Sequence, residues 1–114
     1  MEIRFLNLKV GDKEVKLPAS FSANAFEKLG EEFSSITEWV ERLKAADFKA
    51  VSVAADLVVQ SGYIACEAVG IECPPRIKCW PSDLISPADE EIIAEIFSII
   101  KDHMKRTVEV SSKN

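Results

Sequence analysis

The chain has 114 residues, of which 47% are hydrophobic, and its 19 acidic and 14 basic side chains give a formal net charge of −5. This length fits one domain, and the hydrophobic share is that of an ordinary globular protein with a folded core. Because no stretch is strongly basic, the composition argues against binding to nucleic acid or to an anionic membrane surface.

The N-terminal part of the chain predicts a β-hairpin. Apolar residues alternate along residues 3–10, but the phase changes between Phe5 and Leu6, which predicts a β-bulge at that point. The segment Gly11–Lys13 supplies the turn, and Pro18 is expected to end the second strand.

Three helices are predicted in the middle of the chain. The first spans residues 23–33 behind Ser22 as its N-cap, and the second begins at a capping box formed by Ser35 and Glu38. The third, residues 48–69, is apolar on nearly every side, which is typical of the buried centre of a bundle. Four residues of the second and third helices are expected in the core: Trp39, Val40, Leu57 and Val58.

Single residues mark the ends and the packing of the third helix. Asp47 is a suitable N-cap, and Gly70 is a natural residue for the position after the last turn. Gly62 costs roughly 1 kcal/mol relative to alanine, so we expect it to permit close helix packing or a kink. Four polar residues favour a buried helix over a membrane span: Lys49, Asp56, Gln60 and Glu67.

A proline-rich connection, residues 71–85, leads to the last helix. Ser86 and Pro87 are predicted to open this helix as N-cap and first residue. Its apolar residues cover more than one face, which predicts self-association, with the edge of the hairpin as the alternative contact. The pattern as a whole predicts a mainly α fold, an N-terminal hairpin followed by about four helices, in one domain of residues 1–107 with a flexible tail, 108–114.

No catalytic, cofactor or metal site is predicted. His103 is the only histidine, so a general-base or ligand role has little support. The three cysteines are spaced C-x6-C-x5-C, whereas structural zinc sites show pairs two to four residues apart. We therefore expect Cys66, Cys73 and Cys79 to be free thiols, and the protein not to be an enzyme.

The connection holds the candidate interface anchor. Trp80 lies between prolines, and a tryptophan on a rigid loop is a frequent anchor of protein interfaces. The alternative is that Trp80 folds back and covers the bundle, since large exposed apolar patches are uncommon on monomers. The candidate protein-binding residues are Ile77, Trp80 and Leu84 in the connection and Ile92, Ile96, Ile99 and Ile100 in the last helix.

Three features together resemble the tail assembly chaperones of long-tailed bacteriophages and the related proteins of gene transfer agents. They are the N-terminal hairpin, the segment Phe26–Trp39 with the sequence FEKLGEEFSSITEW, and the apolar helix that follows Asp47–Ala50. The similarity covers about residues 1–70. The cysteine- and proline-rich connection departs from the family.

This resemblance implies a non-enzymatic chaperone in the cytoplasm of a bacterial host. Such a protein binds the tape measure protein, brings tail tube subunits to it, commonly self-associates, and has no catalytic residues. A small helical adaptor or inhibitor that binds a host protein is the alternative. An enzyme that uses the cysteines as thiols or metal ligands is the third hypothesis.

The resemblance also implies a second, longer product made by a −1 ribosomal frameshift. The ending Ser112-Lys113-Asn114 is compatible with the slippery heptamer A-AAA-AAC if the codons are TCA, AAA and AAC. The alternative is an ordinary polar ending of the chain. The nucleotide sequence decides between the two.

Overall fold

The computed structural model describes residues 2–112, and the side chains of residues 2–104. It confirms the mainly α fold with an N-terminal hairpin. The elements, in chain order, are strands β1 (Arg4–Val10) and β2 (Lys13–Ala19), helices α1 (Ala23–Phe33), α2 (Ile36–Lys44) and α3 (Phe48–Val69), a short 3₁₀ helix (Pro81–Leu84), and helix α4 (Glu90–Ser112).

The hairpin is regular, and the predicted bulge is wrong. β1 and β2 pair without interruption from Arg4–Ala19 to Val10–Lys13 around a two-residue turn. The phase of the apolar pattern changes because both faces of the hairpin carry apolar side chains. Leu6 faces the core, whereas Phe5 lies on the opposite face. There the Lys16 ammonium nitrogen lies 4.6 Å from the centre of the Phe5 ring.

Pro18 does not end β2, contrary to the prediction. It pairs with Phe5, and the strand continues to Ala19. The backbone N–H of Ser20 points away from β1 and donates to the Val58 carbonyl of α3 at 2.9 Å. The nitrogen of Pro18, two residues earlier, lies on the same outer side, so β1 does not need the hydrogen-bond donor that proline lacks.

Helix α3 lies at the centre of the molecule and packs against β2, α1, α2, α4 and the 3₁₀ helix. Gly62 is the point of closest approach. A Cβ atom there would lie 2.3 Å from the carbonyl carbon of Pro18 and 2.4 Å from the nitrogen of Ala19. Gly62 therefore permits close packing, but the element that approaches is a strand and not the predicted helix.

Two of the four predicted core residues of α2 and α3 are fully buried. Trp39 and Val58 belong to the core, whereas Val40 and Leu57 are only partly buried and pack against it. The indole N–H of Trp39 donates to the Ala50 carbonyl at 3.0 Å, so its one polar group is satisfied inside the core.

The first three helices begin where the sequence predicts. The side chains of Ser22, Ser35 and Asp47 accept hydrogen bonds from the backbone of the first turns of α1, α2 and α3. The Glu38 carboxylate, expected to complete the capping box, instead accepts from Arg42 at 3.4 Å. Gly70 follows α3 in the left-handed conformation, with φ 72°.

The predicted start of α4 at Ser86 and Pro87 is wrong. These residues form a separate turn, closed by the Asp89 N–H donating to the Ser86 carbonyl at 3.0 Å. Asp89 then caps α4, because its carboxylate accepts from the backbone N–H of Ile92 at 3.2 Å. A carboxylate at this position also complements the helix dipole.

Helix α4 continues to Ser112 and so enters the segment predicted as a tail. Lys113 and Asn114 lie outside the described residues, as do the side chains from residue 105 onward, so the flexibility of 108–114 stays a prediction. Within the described part of the chain, no helix combines the length and hydrophobicity needed to cross a bilayer.

Candidate protein-binding surface

The four isoleucines predicted to mediate contacts from α4 are core residues. The exposed fraction of Ile92 is 7%, that of Ile96 is 2%, and Ile99 and Ile100 are fully buried. Helix α4 packs against both α3 and β1. Its wide apolar surface is therefore covered by α3 and by the hairpin of the same chain. These four residues therefore cannot form a surface contact, and the reason for predicting self-association through them is removed.

Trp80 is exposed to solvent on the connection. Its side chain is 68% exposed, the largest value among the large hydrophobic residues of the described chain, so it does not fold back over the bundle. The two neighbouring candidates, Ile77 and Leu84, are partly buried and pack against the core. Of the three predicted residues in the connection, Trp80 is therefore exposed, whereas Ile77 and Leu84 attach the connection to the core.

The backbone around Trp80 is held in place by two carboxylates. Asp56 of α3 accepts from the backbone N–H of Ser82 at 2.9 Å and from its hydroxyl at 3.0 Å. Asp83 accepts from the N–H of Trp80 at 3.1 Å. Hydrogen bonds to charged groups are stronger than neutral ones, so Trp80 is exposed on a backbone of restricted freedom.

A second attachment lies earlier in the same connection, at Pro75 and Arg76. The Tyr63 hydroxyl donates to the Pro75 carbonyl at 3.0 Å, and the Arg76 guanidinium lies 4.6 Å from the centre of the Tyr63 ring. Arg76 also donates to Glu67 at 2.6 Å. Burial raises the pKa of the Tyr63 phenol above its ordinary value, with a smaller increase from Cys73, while Arg76 lowers it.

Between the two attachments, a groove of about 470 Å³ runs beside α3. Val59, Gln60 and Tyr63 of α3 form its floor, Lys28 of α1 forms one wall, and the connection around Trp80 forms the other. Ile64 lies one turn beyond Gln60 on the same face of α3 and is 56% exposed. The groove therefore borders an exposed apolar side chain on the helix itself.

Sequence reasoning missed three residues of this surface: Asp56, Tyr63 and Arg76. Asp56 carried a detectable signal, since a carboxylate in an otherwise apolar helix needs a partner when it is partly buried. The partner, Ser82, is distant in sequence, and no local pattern identifies it. The contacts of Tyr63 and Arg76 depend on how the connection folds back along α3 and left no signal.

The residues weighed as metal ligands or nucleophiles are His103 and the three cysteines. Among residues 2–104, no group of three or more histidine, cysteine, aspartate or glutamate side chains is placed to hold a metal ion. His103 is tied to its own helix, with Nδ1 2.7 Å from the Ile99 carbonyl oxygen. The three cysteines are free thiols: Cys66 is buried, Cys73 partly buried and Cys79 exposed.

Comparison with known proteins adds no relative. No protein-family model, curated protein or solved structure matches the chain. The functional argument therefore rests on the surface around Trp80 and on the sequence features of residues 1–70.

Proposed function

We propose that the protein is a non-enzymatic tail assembly chaperone of a phage or prophage, acting in the bacterial cytoplasm. In this role it binds the tape measure protein and brings tail tube subunits to it. The observation that supports binding is the 68% exposure of Trp80 on a backbone fixed by Asp56 and Asp83. The assignment to tail assembly depends on the resemblance of residues 1–70.

Trp80 has the properties of a binding hot spot. Tryptophan is enriched among the residues that contribute most to binding free energy, because its large side chain loses much apolar surface to a partner. Order in the free protein adds to this effect. Since the Trp80 backbone is already held, less conformational entropy is lost when a partner binds.

The groove beside α3 favours an amphipathic helix as the bound segment. Its floor is part of a helix, and Ile64, Val69 and Ile71 are exposed at the adjoining end of α3. A helix that lays its apolar face in such a groove presents anchors at intervals of three and four residues.

The test is co-purification with the tape measure protein encoded in the same genome. Trp80→Ala should weaken the complex about 30-fold, which corresponds to a hot-spot loss of about 2 kcal/mol. Phe48→Ala is the matched control, because Phe48 is an aromatic residue 52% exposed at the start of α3, outside the groove. Equal binding by wild type and Trp80→Ala would contradict the proposed surface.

A second candidate uses the same surface for a different partner. Trp80 lies in the connection, which is outside the part of the chain that resembles tail chaperones. A helical adaptor or inhibitor of a host protein would bind through Trp80 without binding a tape measure protein. Failure to bind the tape measure protein, together with Trp80-dependent binding of a bacterial host protein, would favour this candidate.

A further inference from the structure

Two cysteines flank the turn at which the connection leaves α3. After Gly70 the chain reverses, and the N–H of Ile71 donates to the Cys66 carbonyl at 3.1 Å. Four residues later, the Pro75 carbonyl accepts from Tyr63 at 3.0 Å. Cys73 lies between these two hydrogen bonds and is thereby held against the last turns of α3, where burial and then the neighbouring Cys66 raise the pKa of its thiol.

The two thiols differ in their access to solvent. Cys73 is partly buried and lines a groove of about 650 Å³ between the hairpin and the connection. Cys66 is fully buried and does not line this groove. A small reagent in the groove therefore reaches Cys73 before Cys66. Charged side chains of both signs line this groove: Glu14, Lys16, Glu72 and Arg76.

We propose that Cys66 and Cys73 are a modification site, a thiol pair that a small-molecule disulfide such as oxidised glutathione converts to an intramolecular disulfide. The bond would attach the first part of the connection covalently to α3. Cys79 lies outside the pair: it is exposed and lines the groove beside Trp80 instead.

The reaction is two successive thiol–disulfide exchanges. The Cys73 thiol loses its proton, and the thiolate attacks one sulfur of oxidised glutathione, which forms a mixed disulfide and expels a glutathione thiolate. The Cys66 thiol then loses its proton and attacks the Cys73 sulfur. This step breaks the mixed disulfide and expels a second glutathione thiolate. The two protein thiols are oxidised, one glutathione disulfide is reduced, and the two protons end on the two glutathione molecules.

The experiment incubates the full-length reduced protein with oxidised glutathione, blocks remaining thiols by alkylation, and maps peptides by mass spectrometry. Burial raises the pKa of the Cys73 thiol, so the exchange is run at mildly alkaline pH. The sequence from residue 50 to 75 contains no basic residue, so trypsin alone leaves both cysteines in one peptide. Digestion with trypsin and a glutamate-specific protease, which cuts after Glu67 and Glu72, separates them.

We expect the peptide that ends at Glu67 and the peptide that begins at Cys73 to be joined and to separate on reduction. The Cys79→Ala variant should give the same joined pair. The urea midpoint of the oxidised protein should rise in both, and oxidised glutathione should leave the midpoint of Cys73→Ala unchanged.

Three results would overturn the proposal. One is glutathione remaining on Cys73 without transfer to Cys66, and another is dimers linked through Cys79 as the main product. The third is full alkylation of Cys66 and Cys73 after long incubation. The first and third are read from the wild-type chain and from Cys79→Ala, and the second from the wild-type chain alone, so the test does not depend on the folding of Cys73→Ala. None of them depends on the identity of the protein bound at Trp80.

Discussion

Gly62→Ala tests the packing of the hairpin against α3. On a solvent-exposed helix this substitution stabilises by about 1 kcal/mol, because alanine has the higher helix propensity. At position 62 the new Cβ would lie 2.3–2.5 Å from backbone atoms of Pro18 and Ala19, which cannot rotate away as a side chain can. The strand would have to retreat by about 1 Å to restore an ordinary contact.

That retreat has a cost that can be estimated. Overpacking of this kind costs about 1–3 kcal/mol. The hydrogen bond from Ser20 to the Val58 carbonyl, 2.9 Å long, would stretch beyond bonding distance and remove about 1 kcal/mol more. After subtraction of the gain in helix propensity, Gly62→Ala should lower the free energy of unfolding by about 1–3 kcal/mol.

Urea denaturation followed by far-ultraviolet circular dichroism measures this difference. Gly30→Ala is the matched control, since Gly30 lies within α1 and an added Cβ would meet no atom within 4 Å. The control should stabilise by about 0.5–1 kcal/mol, opposite in sign to Gly62→Ala. If Gly62→Ala proves as stable as the wild type, the close approach of β2 to α3 is wrong.

Three further predictions concern burial, capping and pH. Leu29→Ala should cost about 2–5 kcal/mol because Leu29 is fully buried, whereas Leu57→Ala, at a partly buried position, should cost about 1–2 kcal/mol by urea denaturation. Asp89→Ala should lower stability by about 1 kcal/mol through loss of the α4 cap, and Ser86→Ala by clearly less in the same assay. Burial raises the pKa of Tyr63, so the folded chain keeps the phenol proton to higher pH than the unfolded chain. The contribution of the protonated phenol to the free energy of unfolding is complete below about pH 10 and is lost as pH rises through the folded pKa. Above pH 10 the urea midpoint should therefore fall less steeply in Tyr63→Phe than in the wild type.

Local signals in the sequence predicted much of the fold. The caps at Ser22, Ser35 and Asp47 and the bounds of α3 depend on hydrogen bonds and periodicity within a few residues, and the structure confirms them. The predicted start of α4 was wrong because Ser86 and Asp89 are both good capping residues. The sequence alone does not show that the first of them closes a turn.

The surface was less predictable because it depends on contacts between distant segments. A wide apolar face on α4 is equally compatible with a partner chain and with the hairpin of the same chain, and the structure shows the hairpin. The backbone beside the exposed Trp80 is held by Asp56, which lies 26 residues from Ser82 in sequence. For Trp80 the sequence left two alternatives, an interface anchor and a side chain folded over the bundle, and its exposure excludes only the second.

Oxidative footprinting of Trp80 tests the central claim most directly. Hydroxyl radicals modify side chains according to their solvent access, and mass spectrometry reads Trp80 and Phe48 separately in the same sample. When the tape measure protein binds, the oxidation of Trp80 should fall to a small fraction of its value in the free protein, while that of Phe48 should remain unchanged. Undiminished oxidation of Trp80 in a saturated complex would contradict the proposal that this surface binds the partner.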